Sequence, residues 1–365
     1  MTSFLAQIVA KAGVSSISLI GLAKNVGKTT TTNHLLEALL VQGIYRANEL
    51  ALTSLGLDGE AVDALTGLPK PRYVPQPGML VATTAELLRM AENEGVQVER
   101  LQQLSGRTAL GPAVLARIRE PGRVIIAGPT LLRDLRSALD KMQECGARLS
   151  IVDGAINRLG AASPEITDAC ILCTGASAGA TPALVARRTA DILSRLTIKQ
   201  TQWTVAYKNS ASRARLLMFC PQNAGETPVV YSGSSEPLLE AEWIVTHMGA
   251  DDHPVFILNG ALSEELAAGL LALLLKRISY SHSLLIIKNA TRIFCHSSTL
   301  QRLKERGLEV QVADPINILA LTINPYTPEY PCIPQRLVEA LLEQLPAEHP
   351  PIIDVVSGLY TNQVL

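Results

Sequence analysis

Residues 16–40 read SISLIGLAKNVGKTTTTNHLLEALL, an apolar run followed by a glycine-bounded loop and a helical stretch. The apolar run ends at Gly21, and the helical stretch begins at Lys28-Thr29, directly after Gly27. The run is typical of a buried strand, and the stretch after the loop is typical of an amphipathic helix. A loop that leads from a strand into a helix brings unpaired backbone N–H groups and the positive end of the helix dipole together, and such a site binds phosphate.

This strand–loop–helix pattern with Gly-Lys-Thr at the helix start is typical of a P-loop. Gly27 has no Cβ and lets the backbone approach a phosphate, Lys28 can reach the β- and γ-phosphates, and the Thr29 hydroxyl can ligate Mg²⁺. We expect the Lys28 side chain to face solvent when no ligand is bound. The usual first glycine stands six residues before the lysine, where this chain has Leu22, so a loop that starts at Gly21 is one residue longer. The nucleotide-binding residues predicted here are Gly21, Lys24, Asn25, Val26, Gly27, Lys28, Thr29 and Thr30.

An acidic residue is needed beside such a loop to hold the metal ion, and Asp153 is the best candidate. It follows the apolar run 149–152 and precedes Gly154. That place predicts a position at the carboxyl edge of a parallel sheet, where α/β proteins bind ligands. We predict that Asp153 and Thr29 hold Mg²⁺ and that Lys28 and Asp153 are the catalytic residues. An ordinary turn explains Asp153 as well.

Asp58 and Glu60 follow the second predicted strand and form a second acidic candidate. They would lie at the same edge of the sheet, where they could bind Mg²⁺ or orient an attacking group. Asp-Gly is also a common turn sequence, which leaves both interpretations open. The tetrapeptide Asn-Lys-x-Asp, which selects guanine in many GTPases, does not occur in the chain, and this favours ATP.

Short apolar runs alternate with longer helical stretches along the chain, which is the pattern of an α/β protein with a mainly parallel sheet. Residues 221–228 read PQNAGETP and have the composition of a linker. We therefore predict a P-loop nucleotide-binding domain over 1–225, followed by a second, smaller α/β domain over 226–365. The predicted strands are 16–20, 50–54, 123–127, 149–152 and 169–174 in the first domain, and 255–258, 284–287, 292–295, 309–312 and 318–323 in the second. The predicted helices include 29–41, 130–144 and one that starts at Ser263.

Composition excludes several classes of protein. The 32 basic and 33 acidic residues nearly cancel, so there is no charge signature for nucleic acid or an anionic membrane. The most apolar run, 266–275, is about half as long as a membrane span and predicts a buried helix. The N-terminus has no basic residues before its apolar residues, unlike a secretory signal. We therefore expect a cytoplasmic protein with no nucleic-acid or membrane partner.

The chain has six cysteines, and Cys170 and Cys173 form its one Cys-x-x-Cys pair. They lie in a predicted buried strand, where residues three apart point to opposite faces and cannot easily share a ligand. We therefore expect buried thiols that pack as small apolar groups.

Five phrases, spread over most of the chain, resemble a known family: GLAKNVGKTT at 21–30, LTSLGLDGE at 52–60, IAGP at 126–129, VDGAINR at 152–158 and TINP at 322–325. Together they resemble the P-loop subunit of the lysine 5,6-aminomutase reactivase. The resemblance implies a factor that uses ATP to release damaged cobalamin from a cobalamin-dependent aminomutase. It also implies a second, ATPase-type subunit as a partner. Coupling of this kind requires different affinities for two conformations of the mutase.

Two other classes are compatible with the same residues. An ATP-dependent ligase similar to dethiobiotin or cobyrinate amide synthetases would let a small carboxylate attack the γ-phosphate, with Asp58, Glu60 and Lys24 on the substrate side. A regulatory switch would bind the nucleotide without useful turnover.

Overall fold

The computed structural model describes residues 3–56, 73–108, 110–154, 159–209, 214–220, 228–248, 253–277, 282–326 and 333–361. The strands are β1 (Ser16–Gly21), β2 (Leu50–Leu55), β3 (Leu80–Thr84), β4 (Val98–Thr108), β5 (Gly111–Ile118), β6 (Leu149–Gly154), β7 (Ala169–Gly175), β8 (Leu216–Phe219), β9 (Val229–Val230), β10 (Val255–Leu258), β11 (Ser283–Ile287), β12 (Leu308–Val312), β13 (Ile318–Asn324) and β14 (Ile352–Asp354). The helices are α1 (Phe4–Ala12), α2 (Lys28–Val41), α3 (Ala85–Asn93), α4 (Leu132–Glu144), α5 (Pro182–Leu196), α6 (Thr204–Asn209), α7 (Pro237–His247), α8 (Glu264–Leu274), α9 (Ser297–Glu305) and α10 (Pro334–Gln344).

The chain is an α/β protein whose contacts divide it into two compact units. The first comprises Met1–Thr189 and Asn317–Leu365, and the second comprises Ala190–Ile316. The first contains a nine-stranded sheet in the order β14-β13-β7-β1-β6-β2-β3-β5-β4. The second contains a five-stranded sheet in the order β12-β11-β10-β8-β9.

The large sheet is parallel from β14 to β3, and β5 and β4 extend it as an antiparallel hairpin. Every residue of β1, β2 and β7 is buried. Continuous apolar runs of this kind are expected for strands that are covered on both faces. The predicted strands 16–20, 50–54, 149–152 and 169–174 are therefore confirmed.

The start of β1 is held by Asp168, which precedes β7. Its carboxylate accepts hydrogen bonds from the Ser15 N–H and hydroxyl at 2.9 and 2.7 Å and from the Ser16 N–H at 2.9 Å. Burial works to raise the pKa of Asp168, but these hydrogen bonds outweigh it and hold the pKa below its usual value. These hydrogen bonds hold the first residue of β1 beside the start of β7.

The connections from β1 and β7 leave these neighbouring strands in opposite directions. The chain leads from β1 through α2 to β2 on one side, and it returns from β7, after the second unit, to β13 on the other. In open α/β sheets such a point of divergence forms a crevice at the carboxyl ends of the strands, and ligands bind there. The loop between β1 and α2 lies at this point.

The predicted boundary near residue 225 does not coincide with the division into units. β13, which was predicted to belong to the C-terminal domain, pairs with β7, with Leu321 beside Leu172. A buried parallel strand has the same composition whichever sheet it joins, so the pattern at 318–323 predicted a strand but not its neighbours. Of the expected linker, residues 221–227 lie outside the described part of the chain.

Two predicted strands are not strands. At residues 123–127 the backbone ladder is limited to one bridge between Val124 and Tyr73. The place beside β2 is taken by β3, and the far side of β3 is taken by β5, so no ladder position remains for this segment. In the other case, 292–295, a 3₁₀ turn at Ala290–Arg292 is followed by a single bridge from Ile293 to Leu262.

The predicted helices formed close to their expected bounds. α2 starts one residue before the predicted 29–41, and α4 lies within 130–144. Ser263 caps α8 as expected, since its hydroxyl accepts a hydrogen bond from the Leu266 N–H at 3.2 Å. α8 buries one face of the apolar run 266–275, while Leu275 is exposed. Within the described ranges, no helix has the length and apolar character needed to cross a membrane.

Candidate functional site

The β1–α2 loop, residues 22–27, contains two residues with left-handed backbone. Asn25 has a φ of 57° and Gly27 a φ of 85°. Glycine adopts this conformation without strain, and asparagine tolerates it better than most side chains. Left-handed residues that alternate with ordinary ones direct backbone N–H groups toward one concave side of a turn, which is a surface for anions.

Neighbouring strand ends hold the loop through its carbonyl oxygens. The Ser177 hydroxyl donates to the Lys24 carbonyl at 2.7 Å, and the Asn324 side-chain amide donates to the Asn25 carbonyl at 3.1 Å. A Cβ on Gly27 would lie 3.0 Å from the Cβ of Asn324. The loop therefore packs against the carboxyl end of β13, and its backbone conformation is set by groups that are distant in the sequence.

The first turn of α2 has no side-chain cap, since Gly27 is its N-cap residue, and the turn contains no acidic residue. The helix dipole gives this end a partial positive charge, which Lys28 increases. Thr31 N–H donates to the Gly27 carbonyl at 2.8 Å and closes the first helical turn. The helix start is thus suited to a negatively charged group.

We expected the Lys28 side chain to face solvent, but it is buried in the structure. Its exposed fraction is 8%, and its side chain folds back over Gly21. A Cβ on Gly21 would lie 3.0 Å from both Cδ and Nζ of Lys28. The glycine at the end of β1 therefore leaves the space in which the lysine stem packs, and the ammonium group is already at the loop.

Asp153 lies at the carboxyl end of β6, beside Leu19 of β1 and Ser54 of β2. Its carboxylate accepts a hydrogen bond from the hydroxyl of Tyr73. The same hydroxyl lies 3.5 Å from the hydroxyl oxygen of Thr29. The two residues that were predicted to hold Mg²⁺ therefore converge, and a tyrosine hydroxyl links them.

A buried row of polar groups lies beneath the loop. Thr31 donates to the Thr322 hydroxyl at 3.2 Å, and Thr322 donates to the sulfur of Cys173 at 3.2 Å. Burial raises the pKa of the Cys173 thiol to about 11, although hydrogen bonds and the charge of Lys28 oppose the shift. Burial likewise raises the pKa of Cys170 to about 12. Both cysteines are in β7 and fully buried, as predicted, and both thiols stay protonated at neutral pH.

The segment 124–129 covers the carboxyl ends of β2 and β3. The Ser54 hydroxyl donates to the Ile126 carbonyl at 3.4 Å and accepts from the Gly128 N–H at 2.9 Å. The Thr83 hydroxyl donates to the Ile125 carbonyl at 3.0 Å. These hydroxyls pair with backbone groups that a neighbouring strand would otherwise pair with, and Gly128 lies at the end of β2.

The structure brings most of the predicted site residues to one edge of the sheet. Lys24, Asn25 and Thr30 are exposed there, while Val26 and Lys28 are buried. Asp58 and Glu60 lie outside the described residues. The residues that form this edge are Gly21, Lys24, Asn25, Val26, Gly27, Lys28, Thr29, Thr30 and Asp153.

Tyr73 is the residue of this site that sequence reasoning missed. It follows β2 by eighteen positions and stands between Pro71 and Pro75, without a motif that marks it. The one available signal is composition, because tyrosine is scarce in a chain with 4% aromatic residues. Its hydroxyl reaches Asp153 because its backbone pairs with Val124, and that pairing is not visible in the sequence.

Comparison of the chain with models of known protein families and with curated proteins found no match. Similarity therefore does not assign a family. What the site offers is its own chemistry: a loop with two left-handed residues, a lysine, and the side-chain oxygens of Thr29 and Asp153, which are of the type that Mg²⁺ prefers.

Proposed function

We propose that the chain binds ATP together with Mg²⁺ at the β1–α2 loop and acts as an ATPase. The observation that supports this most is the convergence of Lys28, Thr29 and Asp153 beside the uncapped start of α2. A lysine, a hydroxyl and a carboxylate at a helix N-terminus match the charges and the metal preference of a nucleotide triphosphate.

Each of these residues has a defined role in the proposal. The backbone N–H groups at the start of α2 bind phosphate oxygens, and Lys28 neutralises charge on the terminal phosphates. Thr29 and Asp153 hold the metal ion, and their oxygen donors fit Mg²⁺. The ion, when bound, neutralises charge that develops on the phosphate during transfer. Asn324 and Ser177 keep the loop carbonyls turned away from the phosphates.

Asp153→Asn tests the metal role. We expect the variant to bind ATP but to lose most of the strengthening that Mg²⁺ gives, because a neutral amide attracts the ion less than a carboxylate. The measurement is isothermal titration with ATP, once with excess Mg²⁺ and once with EDTA. A variant Asp140→Asn, which alters a surface ion pair with Arg136, serves as the matched control. If the Mg²⁺ effect is equal in wild type and Asp153→Asn, Asp153 is a structural residue.

We further propose that the ATPase serves a cobalamin-dependent aminomutase, as the resemblance to the reactivase subunit implies. Supporting this, phrases that carry the resemblance meet at one edge of the sheet although up to 300 residues separate them. Asn324 of TINP contacts Asn25 of the loop phrase, and Gly128 of IAGP contacts Ser54 of the second phrase. Because the phrases that resemble the reactivase subunit meet at one site, we propose that the chain uses the nucleotide as that subunit does.

ATP hydrolysis in reconstituted mixtures separates this proposal from a ligase. We expect phosphate release from the full chain to rise on addition of a lysine 5,6-aminomutase loaded with inactive cobalamin and the second ATPase-type subunit. Each component alone, and the mixture with Lys28→Met, are the controls. Phosphate release that requires a small carboxylate and ignores the aminomutase would contradict the proposal and favour a ligase.

A further inference from the structure

The Tyr73 hydroxyl contacts both proposed metal ligands. It donates to Oδ2 of Asp153 and lies 3.5 Å from Oγ1 of Thr29. Mg²⁺ binds its oxygen ligands at about 2.1 Å, so an ion held by both residues would lie in the space between them. The tyrosine oxygen is within contact distance of both residues in this structure.

A tyrosine O–H and a divalent cation compete where they use the same carboxylate oxygen. The phenol directs its proton at Asp153, and a proton competes with a cation for the same carboxylate lone pairs. An ion that uses Oδ2 of Asp153 therefore competes with the Tyr73 hydroxyl for that oxygen.

The tyrosine is held firmly enough for this displacement to have a cost. Its backbone N–H donates to the Val124 carbonyl at 3.2 Å and its carbonyl accepts from the Val124 N–H at 2.9 Å. Tyr73 is 6% exposed, so its side chain is enclosed by neighbouring residues. The ring is thus packed, and its hydroxyl has a charged partner, an interaction stronger than a neutral hydrogen bond.

We propose that Tyr73 is a built-in competitor of the magnesium ion. In the nucleotide-free chain its hydroxyl contacts Asp153 and Thr29, and an ion that takes Oδ2 of Asp153 displaces it. The inference rests on the proposed function of the loop. It assigns to Tyr73 the control of how strongly nucleotide binding depends on Mg²⁺.

Tyr73→Phe keeps the ring and removes the competing hydroxyl. The test measures the Kd of ATP with excess Mg²⁺ and with EDTA by isothermal titration of the full chain. We expect the ratio of the two constants to change by about tenfold in favour of Mg²⁺, the value of one hydrogen bond to a charged group. Tyr45→Phe is the matched control, because Tyr45 is 9% exposed and packs against Arg148 beyond the far end of α2.

A second measurement follows the tyrosine directly. Loss of the hydrogen bond to Asp153 changes the near-ultraviolet spectrum of Tyr73. Addition of Mg²⁺ and ATP should therefore produce a difference spectrum in the wild type and in Tyr45→Phe. The Tyr73→Phe variant should lack this difference spectrum. In the Asp153→Asn background, Tyr73→Phe should have no further effect on the Mg²⁺ ratio, because the competition acts through the carboxylate.

The outcomes are distinct. An unchanged or weaker Mg²⁺ effect in Tyr73→Phe overturns the inference and makes the tyrosine a support for Asp153. An equal effect of Tyr73→Phe with and without the Asp153 carboxylate overturns it as well. Failure of the wild-type chain to bind ATP under either condition would instead remove the proposed function, and the inference with it.

Discussion

We expect Lys28→Met to weaken the proposed ATP binding about a hundredfold, or about 2.7 kcal/mol, because the variant would lose charge-assisted hydrogen bonds to the terminal phosphates. Stabilisation by a ligand follows the ratio of its concentration to its Kd, so a hundredfold loss removes about 2.7 kcal/mol of it at saturating nucleotide. The measurement is the shift of the unfolding temperature that excess ATP and Mg²⁺ produce.

Methionine is chosen because Lys28 is buried. Its unbranched side chain fills the space over Gly21 that the lysine stem occupies, whereas alanine would leave part of that space empty. We expect the unliganded variant to unfold near the wild-type temperature, which separates folding from binding. Lys11→Met, at an exposed lysine of α1, should retain the full shift. A full shift in Lys28→Met would show that the lysine does not contact phosphate.

Gly128→Ala is expected to destabilise the first unit by about 3 kcal/mol, since overpacking against backbone cannot be relieved by a side-chain rotation. A Cβ at Gly128 would lie 1.9 Å from the Ser54 carbonyl oxygen and 2.7 Å from Oγ1 of Thr53. Ser54 belongs to β2, whose position is fixed by β6 and β3 on its two sides. The segment 124–129 would have to move away, with loss of the hydrogen bond from the Gly128 N–H to the Ser54 hydroxyl.

The free energy of unfolding in urea, followed by far-ultraviolet circular dichroism, is the measurement for Gly128→Ala. Gly269→Ala is the matched control, because a Cβ there would meet only side-chain atoms of Leu238 and Ala241, at 3.3 and 3.4 Å. Gly269 lies within α8, where alanine favours the helix by up to about 1 kcal/mol over glycine. Gly128→Ala should therefore lose stability while Gly269→Ala changes little or gains. Equal stability of the two variants would mean that the segment does not pack on β2 as described.

The secondary structure was predicted best where one local pattern is sufficient. β1, β6 and β7 are continuous apolar runs, and such runs are buried strands whatever surrounds them. The hairpin of β4 and β5 was missed because β4, with the sequence VERLQQLSGRT, is largely polar. The run 123–127 has the composition of a strand but lost its ladder positions to other strands, which no local pattern records.

Only part of the site was predicted. The predicted part is the one that a local pattern or a general rule of sheet structure indicates. Gly27, Lys28 and Thr29 are neighbours in the chain, so their spacing alone indicates what they can bind. Asp153 was found through the rule that strand ends meet at one edge of a sheet. Tyr73 and the contact between Asn324 and Asn25 follow no such rule, because they depend on which distant segments pack together.

Local order along the chain thus determined the α/β class, the strand that leads into the loop and the helix that follows it. Whether a segment forms a strand or a helix depends largely on its own composition and periodicity, so a local pattern is sufficient to predict it. Tertiary packing decided the return of β13 to the first sheet, the burial of Lys28 and the contacts of Tyr73 with Thr29 and Asp153. These contacts join residues that are far apart in the chain. Their free energy depends on both partners together, so a local stretch of sequence does not reveal it.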